Sequence, residues 1–203
     1  PILAIIMAGR FHSLGVILHD QSHQSLKKKT LKMRLLDLLA GYPVFTTSDH
    51  MAYHHNRHHR FTNTDKDPYF KPSNQNGAHH KIITSFVKGF LLETVWFIRP
   101  FFAPIAIAFP KLKTAYGKIF LLDVSNRDLT DSTEITRCLK EDIPALVFHA
   151  LILFLTIKFT ILIYLFWIPV FIGGVFSIYR LLTEHVYEKQ ENTSSQSMHS
   201  CTF

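Results

Sequence analysis

Cysteine is scarce in this sequence of 203 residues, and signatures of nucleic-acid binding are missing. The two cysteines, Cys138 and Cys201, lie far apart and form no C-x-x-C pattern, so the sequence predicts no disulfide framework. It contains no RNA-binding signature and no ladder of aromatic and basic residues, although the net charge is +7 with histidine neutral. We therefore expect no nucleic-acid partner, and the basic charge suits an anionic membrane surface.

Apolar residues are abundant and concentrated in blocks. Hydrophobic residues make up 47% of the chain, phenylalanine occurs 18 times, and the mean hydropathy is +0.12. These values are high for a soluble protein. They predict an all-α integral membrane protein in contact with membrane lipid, with a single domain over residues 1–203.

The apolar blocks predict three membrane-associated segments. Residues 1–18 predict an apolar helix that forms much of one membrane span. Residues 82–110 carry three charges and three prolines, so we expect an interfacial helix or a shallow hairpin that returns to the same side. Residues 143–182 suffice for two spans of about 20 residues each, which predicts a transmembrane hairpin that turns near Lys158. The alternative is one span over Phe159–Ile178. His149 is expected to pack within the membrane rather than to bind a metal.

A dense histidine cluster lies between the first two blocks. Residues 54–59, HHNRHH, hold four of the thirteen histidines, and the spacing from His55 is H-x-x-H-H. On a helix, His55, His58 and His59 share one face, and neutral imidazole is the commonest metal ligand in proteins. The pattern predicts a metal site that loosens in acid. The alternative is a solvated histidine-rich surface run.

A second histidine pair precedes this cluster. The segment HDQSH, residues 19–23, places His19 and His23 one turn apart at the polar end of the first apolar helix. The spacing is similar to the zinc protease motif H-E-x-x-H, but Asp20 stands where that motif has its glutamate, and a protease leaves the other cluster unexplained. The sequence therefore favours one histidine-rich metal region over residues 19–67.

Positive residues indicate which side of the membrane holds these clusters. Lysines and arginines between residues 27 and 34 favour the cytoplasmic side, so we expect both clusters on the cytoplasmic face. A hairpin over residues 143–182 would return the segment RLLTEH, residues 180–185, to that same face. His185 would then lie on the side of the two clusters, whereas a single span would leave it about 30 Å away.

Three segments together resemble the membrane fatty acid desaturase family, which also holds hydroxylases and carotenoid-modifying enzymes. They are HDQSH from His19, HHNRHHRFTNTDKDP from His54, and RLLTEH from Arg180. The resemblance implies two non-haem iron ions held by histidines on the cytoplasmic face, with O₂ as co-substrate. It also implies a fatty acyl lipid substrate and an electron donor of the ferredoxin or cytochrome b5 type.

Carried over motif by motif, the resemblance implies a set of six metal ligands: His19, His23, His55, His58, His59 and His185. His54 precedes the motif and is not carried over. Asp20 and Glu184 would be partners that orient the ligand imidazoles. No further catalytic residue is implied.

One part of the family pattern is absent. The third histidine box, another H-x-x-H-H after the last apolar hairpin, does not occur before Phe203. The chain also begins with Pro1 rather than Met. We therefore expect a fragment of a longer enzyme, truncated at both ends and inactive by itself.

The leading hypothesis is an O₂-dependent di-iron lipid desaturase. The first alternative is a hydroxylase or ketolase of the same superfamily that acts on a lipid or carotenoid. The second alternative, from a different class, is a non-catalytic membrane metal-binding relative.

Overall fold

The computed structural model describes residues 2–23, 29–62, 64–69 and 79–184. Every regular element within these ranges is helical, which confirms the predicted all-α class. The α-helices are α1 (Ile2–Ser22), α2 (Leu31–Leu36), α3 (Ser48–Phe61), α4 (His79–Ala108), α5 (Leu112–Phe120), α6 (Thr133–Lys158) and α7 (Ile168–Glu184). Three stretches are long and apolar enough to cross a membrane: Ile2–Ser22, Phe86–Ala108 and Ile163–Leu181.

Helix α1 extends beyond the predicted apolar helix of residues 1–18. It continues to Ser22, so His19 lies in its last turn and His23 directly follows it. The Ser22 hydroxyl donates a hydrogen bond of 2.5 Å to the His19 carbonyl, which satisfies one of the carbonyls left unpaired at the helix end. The first histidine pair therefore stands on a continuous helix.

Helix α3 carries the second histidine cluster and has a well-defined start. Thr47 is its N-cap, and the Thr47 hydroxyl accepts a hydrogen bond from the His50 amide. Asp49 in the first turn suits the positive end of the helix dipole. Just before the cap, Phe45 adopts a left-handed conformation with φ of 56°, which turns the chain into the helix.

The shallow hairpin considered for residues 82–110 is wrong, because α4 is one helix that continues through Pro100 and Pro104. Two of the charges that argued against a span are removed from lipid by burial. The Arg99 guanidinium donates to Asp142 at 3.1 Å and to the Phe45 carbonyl at 3.1 Å. Because intramembrane charges are tolerated when they face the protein interior and are paired, this arginine is compatible with a membrane-crossing helix.

The chain turns directly after Lys158, where the turn was predicted. Within the described residues, only the second arm of the predicted transmembrane hairpin is long and apolar enough to cross a membrane, so a hairpin of two spans stays a prediction. Helix α6 ends there, and after a short turn the chain continues through a π-helical turn, Ile163–Trp167, into α7. The Trp167 indole donates to the Thr156 hydroxyl at 2.8 Å across this turn. Both arms pack against α4, which is therefore the common neighbour of α6 and α7. His149 on α6 is fully buried and its Nε2 lies 3.2 Å from the Tyr42 carbonyl, so it is the packed histidine that the sequence predicted.

Glycines allow α7 to approach α1 and α4 closely. A Cβ at Gly173 would lie 3.0 Å from the Ala8 carbonyl of α1, and a Cβ at Gly174 would collide with the Glu93 side chain of α4. Small residues permit such close helix contacts in membrane proteins. The middle of α1 and the middle of α4 are thereby both held beside α7.

Candidate metal centre

Four imidazoles from two helices meet at one point. His19 and His23 come from the end of α1, and His55 and His59 come from one face of α3. His55 Nε2 lies 2.8 Å from His59 Nε2 and 3.3 Å from His23 Nε2. The rings of His19 and His55 are 4.1 Å apart between centroids. One ring nitrogen from each of His19, His23 and His55 lies within 4.8 Å of the others.

His55 is the most buried member of this group, with 1% of its surface exposed. Its Nδ1 has no hydrogen-bond partner among the described residues. Burial lowers the pKa of His55, and the neighbouring rings of His19 and His59 lower it further. A neutral imidazole has a lone pair to give to a metal, so the surroundings of His55 suit a ligand at neutral pH.

His58 lies at the edge of the same group. Its ring centroid is 6.2 Å from that of His55 and 5.5 Å from that of His59. His58 Nδ1 lies 2.8 Å from a carboxylate oxygen of the fully buried Asp67, which would accept its proton. Such a carboxylate fixes the tautomer and orientation of an imidazole ligand. Asp67 is therefore placed to orient the His58 ring, a role that the resemblance implied for Asp20 and Glu184.

The two acids for which the resemblance implied an orienting role are Asp20 and Glu184. Asp20 lies 3.2 Å from His19 Nδ1, but it is mostly exposed. The side chain of Glu184 and the whole of His185 lie outside the described residues, so the sixth predicted ligand and its predicted partner remain predictions. The sequence could have pointed to Asp67 as a partner, because this residue closely follows the second histidine cluster. The same proximity applies to Asp65, so the sequence did not distinguish the two aspartates.

His54 differs from the neighbouring His55. It stacks on Trp96 of α4, with centroids 6.0 Å apart and rings inclined by 29°. Burial, together with the nearby His50, lowers the pKa of His54 to about 3. His54 thus belongs to the packing between α3 and α4.

A buried hydrogen-bond network supports α3 from the other side, and sequence reasoning missed it. His50 Nε2 lies 2.9 Å from the Tyr116 hydroxyl, which donates to Asp142 at 2.5 Å. His50 Nδ1 contacts the Thr47 hydroxyl. Burial raises the carboxyl pKa of Asp142, but Arg99 and His50 outweigh that effect and hold it at about 2. The network ties α3 to α4, α5 and α6.

A second buried cluster surrounds Lys29, which follows the first histidine pair in the chain. Its ammonium contacts Asp37, lies 2.5 Å from Asp49 and lies 3.1 Å from Glu141. Burial alone would lower the pKa of Lys29, but attraction to Asp37 and Asp49 outweighs burial and raises it. The three carboxylates are close enough to hold a metal, yet the ammonium already lies among them. This cluster fastens the segment after α1 to α3 and α6.

A cavity of about 480 Å³ adjoins the imidazoles, between α1, α3, α4 and α7. Its size is typical of ligand sites. The rings of His19, His54 and His55 form part of its wall. Most of the remaining wall is apolar and includes Phe11, Val16, Leu91, Leu92, Val170 and Ile178.

The residues present fit a metal centre. His55 Nε2 lies within hydrogen-bonding distance of ring nitrogens of His59 and of His23, and His19, His23 and His55 are close enough to share one ion. A donor set of imidazole nitrogens suits iron, copper, zinc or nickel. Donor chemistry alone does not select among these metals.

Comparison with known proteins agrees with this arrangement. The family model described as "Fatty acid desaturase" matches residues 1–203, which is the whole chain. No curated protein and no solved structure matches the chain. With histidine-bearing helices, apolar helices long enough to cross a membrane and a family match over its full length, this chain belongs to the fatty acid desaturase family.

Proposed function

We propose that this protein is an O₂-dependent di-iron lipid desaturase that introduces a double bond into a fatty acyl chain. The observation that carries the proposal is the meeting of four imidazoles, two of which, His19 and His55, line a largely apolar cavity. An acyl chain in that cavity would lie beside His19 and His55. Family membership supports a lipid-modifying oxidoreductase, and the choice of iron follows from the same membership.

The residues that would hold the metal are the predicted ligands: His19, His23, His55, His58, His59 and His185. Iron supplies the redox chemistry that activates O₂, whereas zinc has no redox chemistry. Overall, an acyl –CH₂–CH₂– unit loses two hydrogen atoms, and two electrons and two protons are taken up as O₂ becomes two molecules of water. The electrons would come from a ferredoxin or cytochrome b5-type donor on the cytoplasmic face.

The chain's own residues have three tasks in this proposal. Asp67 holds the His58 ring in one orientation. The stacked rings of His54 and Trp96 form a rigid wall next to the ligands. The apolar residues of the cavity exclude water and keep the acyl chain extended beside the imidazoles, which favours reaction at one position along the chain.

Metal content is the first test. The full chain, purified in detergent and loaded with ferrous iron, is expected to retain iron, and His55→Ala is expected to lose most of it. His12→Gln is the matched control, because His12 lies on the same helix as His19 but contacts Ser177 at 3.1 Å. Equal iron retention in His55→Ala and the wild-type protein would contradict the proposed centre.

Lipid composition is the second test. In cells whose only gene copy encodes His55→Ala, we expect the unsaturated product to disappear, whereas cells that carry the wild-type gene keep it. Labelling with ¹⁸O₂ identifies the reaction, because a double bond retains no oxygen from O₂ and a hydroxyl group does. Labelled hydroxyl product would favour the hydroxylase alternative, and unchanged lipids with retained iron would favour the non-catalytic relative.

A further inference from the structure

Among the described residues, the cavity wall contains one acidic side chain, that of Glu93, which the proposed centre does not use. Glu93 lies on α4 and is only 5% exposed. Its Oε2 has no hydrogen-bond partner among the described residues. A buried carboxyl group without a partner is costly, and the cost is removed when a hydrogen-bond donor reaches it.

The surrounding protein restricts where that donor can come from. The Glu93 side chain packs directly against Gly174 of α7, which has no side chain to offer. The cation Arg99 lies two turns further along α4, and its guanidinium binds Asp142 and the Phe45 carbonyl. The space that Glu93 shares with other residues is the cavity itself, whose wall is mostly apolar but also includes the cations Lys88 and Arg180. Neither of them donates a hydrogen bond to Glu93 Oε2.

Glu93 also lies close to the proposed reaction site. Trp96, three residues later on the same face of α4, stacks on His54 beside the ligand His55. Seven residues into the stretch Phe86–Ala108, Glu93 lies about 10 Å along the helix from the start of that stretch at 1.5 Å per residue. A group that reached Glu93 would therefore lie well inside the helical bundle, near the part of the cavity that adjoins the metal ligands.

We propose that Glu93 is a specificity-determining residue that binds a hydroxyl group of the lipid in this cavity. This inference rests on the proposed function, because it assumes that the cavity holds a lipid. A hydroxyl group both donates and accepts hydrogen bonds, so it satisfies the carboxyl group in either protonation state. A purely apolar chain would leave Glu93 unsatisfied and would bind less tightly.

Trp96 provides a direct readout of cavity occupancy. The chain has two tryptophans, so a Trp167→Phe background leaves Trp96, which lies at the cavity wall, as the single tryptophan, and it can be excited selectively over tyrosine. The probes are 9,10-dibromooctadecan-1-ol and its methyl ether, which differ only in the ability of the oxygen to donate a hydrogen bond. Bromine quenches Trp96 when the probe enters, and titration of the detergent-solubilised full chain gives an apparent affinity for each probe.

We expect the alcohol to bind about tenfold more tightly than the ether in the Glu93 protein, because only the alcohol can donate to the unpartnered Glu93 Oε2, and a buried acceptor left without a donor costs on the order of a factor of ten in affinity. Glu93→Leu is expected to remove this preference, and Glu93→Gln, which keeps an accepting oxygen, to retain part of it. Thr94→Ala is the matched control, because the Thr94 hydroxyl bonds to the Phe90 carbonyl within the helix. Its preference is expected to equal that of the starting protein.

Two outcomes separate the inference from the proposed function. If both probes quench Trp96 with equal affinity, or if Glu93→Leu keeps the preference, the role of Glu93 is overturned while the lipid cavity stands. If neither probe quenches Trp96, the cavity is not a lipid site and the proposed function fails with it. If Glu93→Leu does not fold, the ratio of the apparent affinities for the alcohol and the ether is compared between the starting protein and Glu93→Gln. An equal ratio in these two proteins would overturn the role of Glu93.

Discussion

At the scale of single residues, neighbouring histidines of α3 have different tasks. His55 faces three other imidazoles, whereas His54 stacks on Trp96. His50, one turn earlier, lies in a hydrogen-bond network with Tyr116. Because successive side chains on a helix point about 100° apart, adjacent histidines meet different parts of the protein. A histidine-rich segment is therefore a mixture of candidate ligands and packing residues.

Replacing the carboxylate behind His58 tests its orienting role. Asp67→Asn keeps the shape of the side chain but removes the charge that holds the His58 ring. We expect iron affinity to fall by about 10–100-fold, which is typical for loss of such a partner. Iron titration of the purified chain measures the change. Asp65→Asn, at an exposed position of the same turn, is expected to bind iron like the wild-type protein, and equal affinity in both variants would refute the role of Asp67.

The buried His50 predicts a pH dependence of stability. Burial lowers the pKa of His50, and the nearby Arg99 lowers it further. The unfolded chain then binds a proton below pH about 6.5 that the folded chain does not bind, so stability is full above that pH and falls as the pH decreases. Thermal unfolding of the metal-free protein between pH 8 and pH 5 measures this decrease. His50→Gln is expected to be less stable than the wild-type protein at pH 8 but to lose less stability on acidification. If the stability of His50→Gln depended on pH as that of the wild-type protein does, His50 would not be the buried neutral group responsible.

At the scale of helices, the contacts of α7 depend on two adjacent glycines that face different neighbours. Gly173 lies against α1, which carries the first histidine pair, and Gly174 lies against α4. The position of α1 therefore depends partly on a residue that has no side chain. Close packing transmits even a small change in volume at such a contact.

A methyl group at Gly174 tests this contact. The Cβ of Gly174→Ala would collide with Glu93, and overpacking of this kind costs about 1–3 kcal/mol. Thermal unfolding in detergent is expected to show the loss, and Glu93→Ala in the same chain is expected to restore part of it. Gly9→Ala on α1, where a Cβ meets nothing within 4 Å, is expected to leave stability equal or higher. Equal melting temperatures for Gly174→Ala and Gly9→Ala would show that the contact is looser than described.

At the scale of the whole molecule, buried charges connect segments that are distant in the chain. Lys29 joins the segment after α1 to Asp37, to Asp49 at the start of α3 and to Glu141 of α6. The candidate metal centre depends on α1 and α3 keeping their relative positions. The Lys29 cluster and the Asp142 network therefore support the centre from outside it.

Removal of the central charge is expected to loosen this assembly. Lys29→Met leaves buried carboxylates without their cation, and breaking a buried pair typically costs about 3–5 kcal/mol. Lys32→Met, which changes an exposed lysine of α2, is expected to have little effect. Chemical unfolding monitored by tryptophan fluorescence compares the two variants. If both substitutions lowered the free energy of unfolding by a similar, small amount, the Lys29 cluster would be solvated and would not hold α1 to α3.

Features that depend on local spacing were determined by the sequence itself. Helical periodicity placed His19 with His23, and His55 with His59, on shared faces, because residues three or four apart are neighbours on any helix. Length and apolar composition indicated membrane-type helices, and the turn after Lys158 followed from the length of the apolar block. The candidate ligand cluster was therefore foreseeable apart from His185, which lies outside the described residues.

Features that depend on contacts between distant segments were decided only by the tertiary structure. The partner of His58 turned out to be Asp67, and Arg99 became compatible with a long α4 because it meets Asp142, 43 residues away. The sequence also could not show that Glu93 lies in the cavity wall against Gly174. The physical reason is that helical periodicity relates residues only to their near neighbours, whereas the helix faces that pack together are selected by shape and charge over the whole chain.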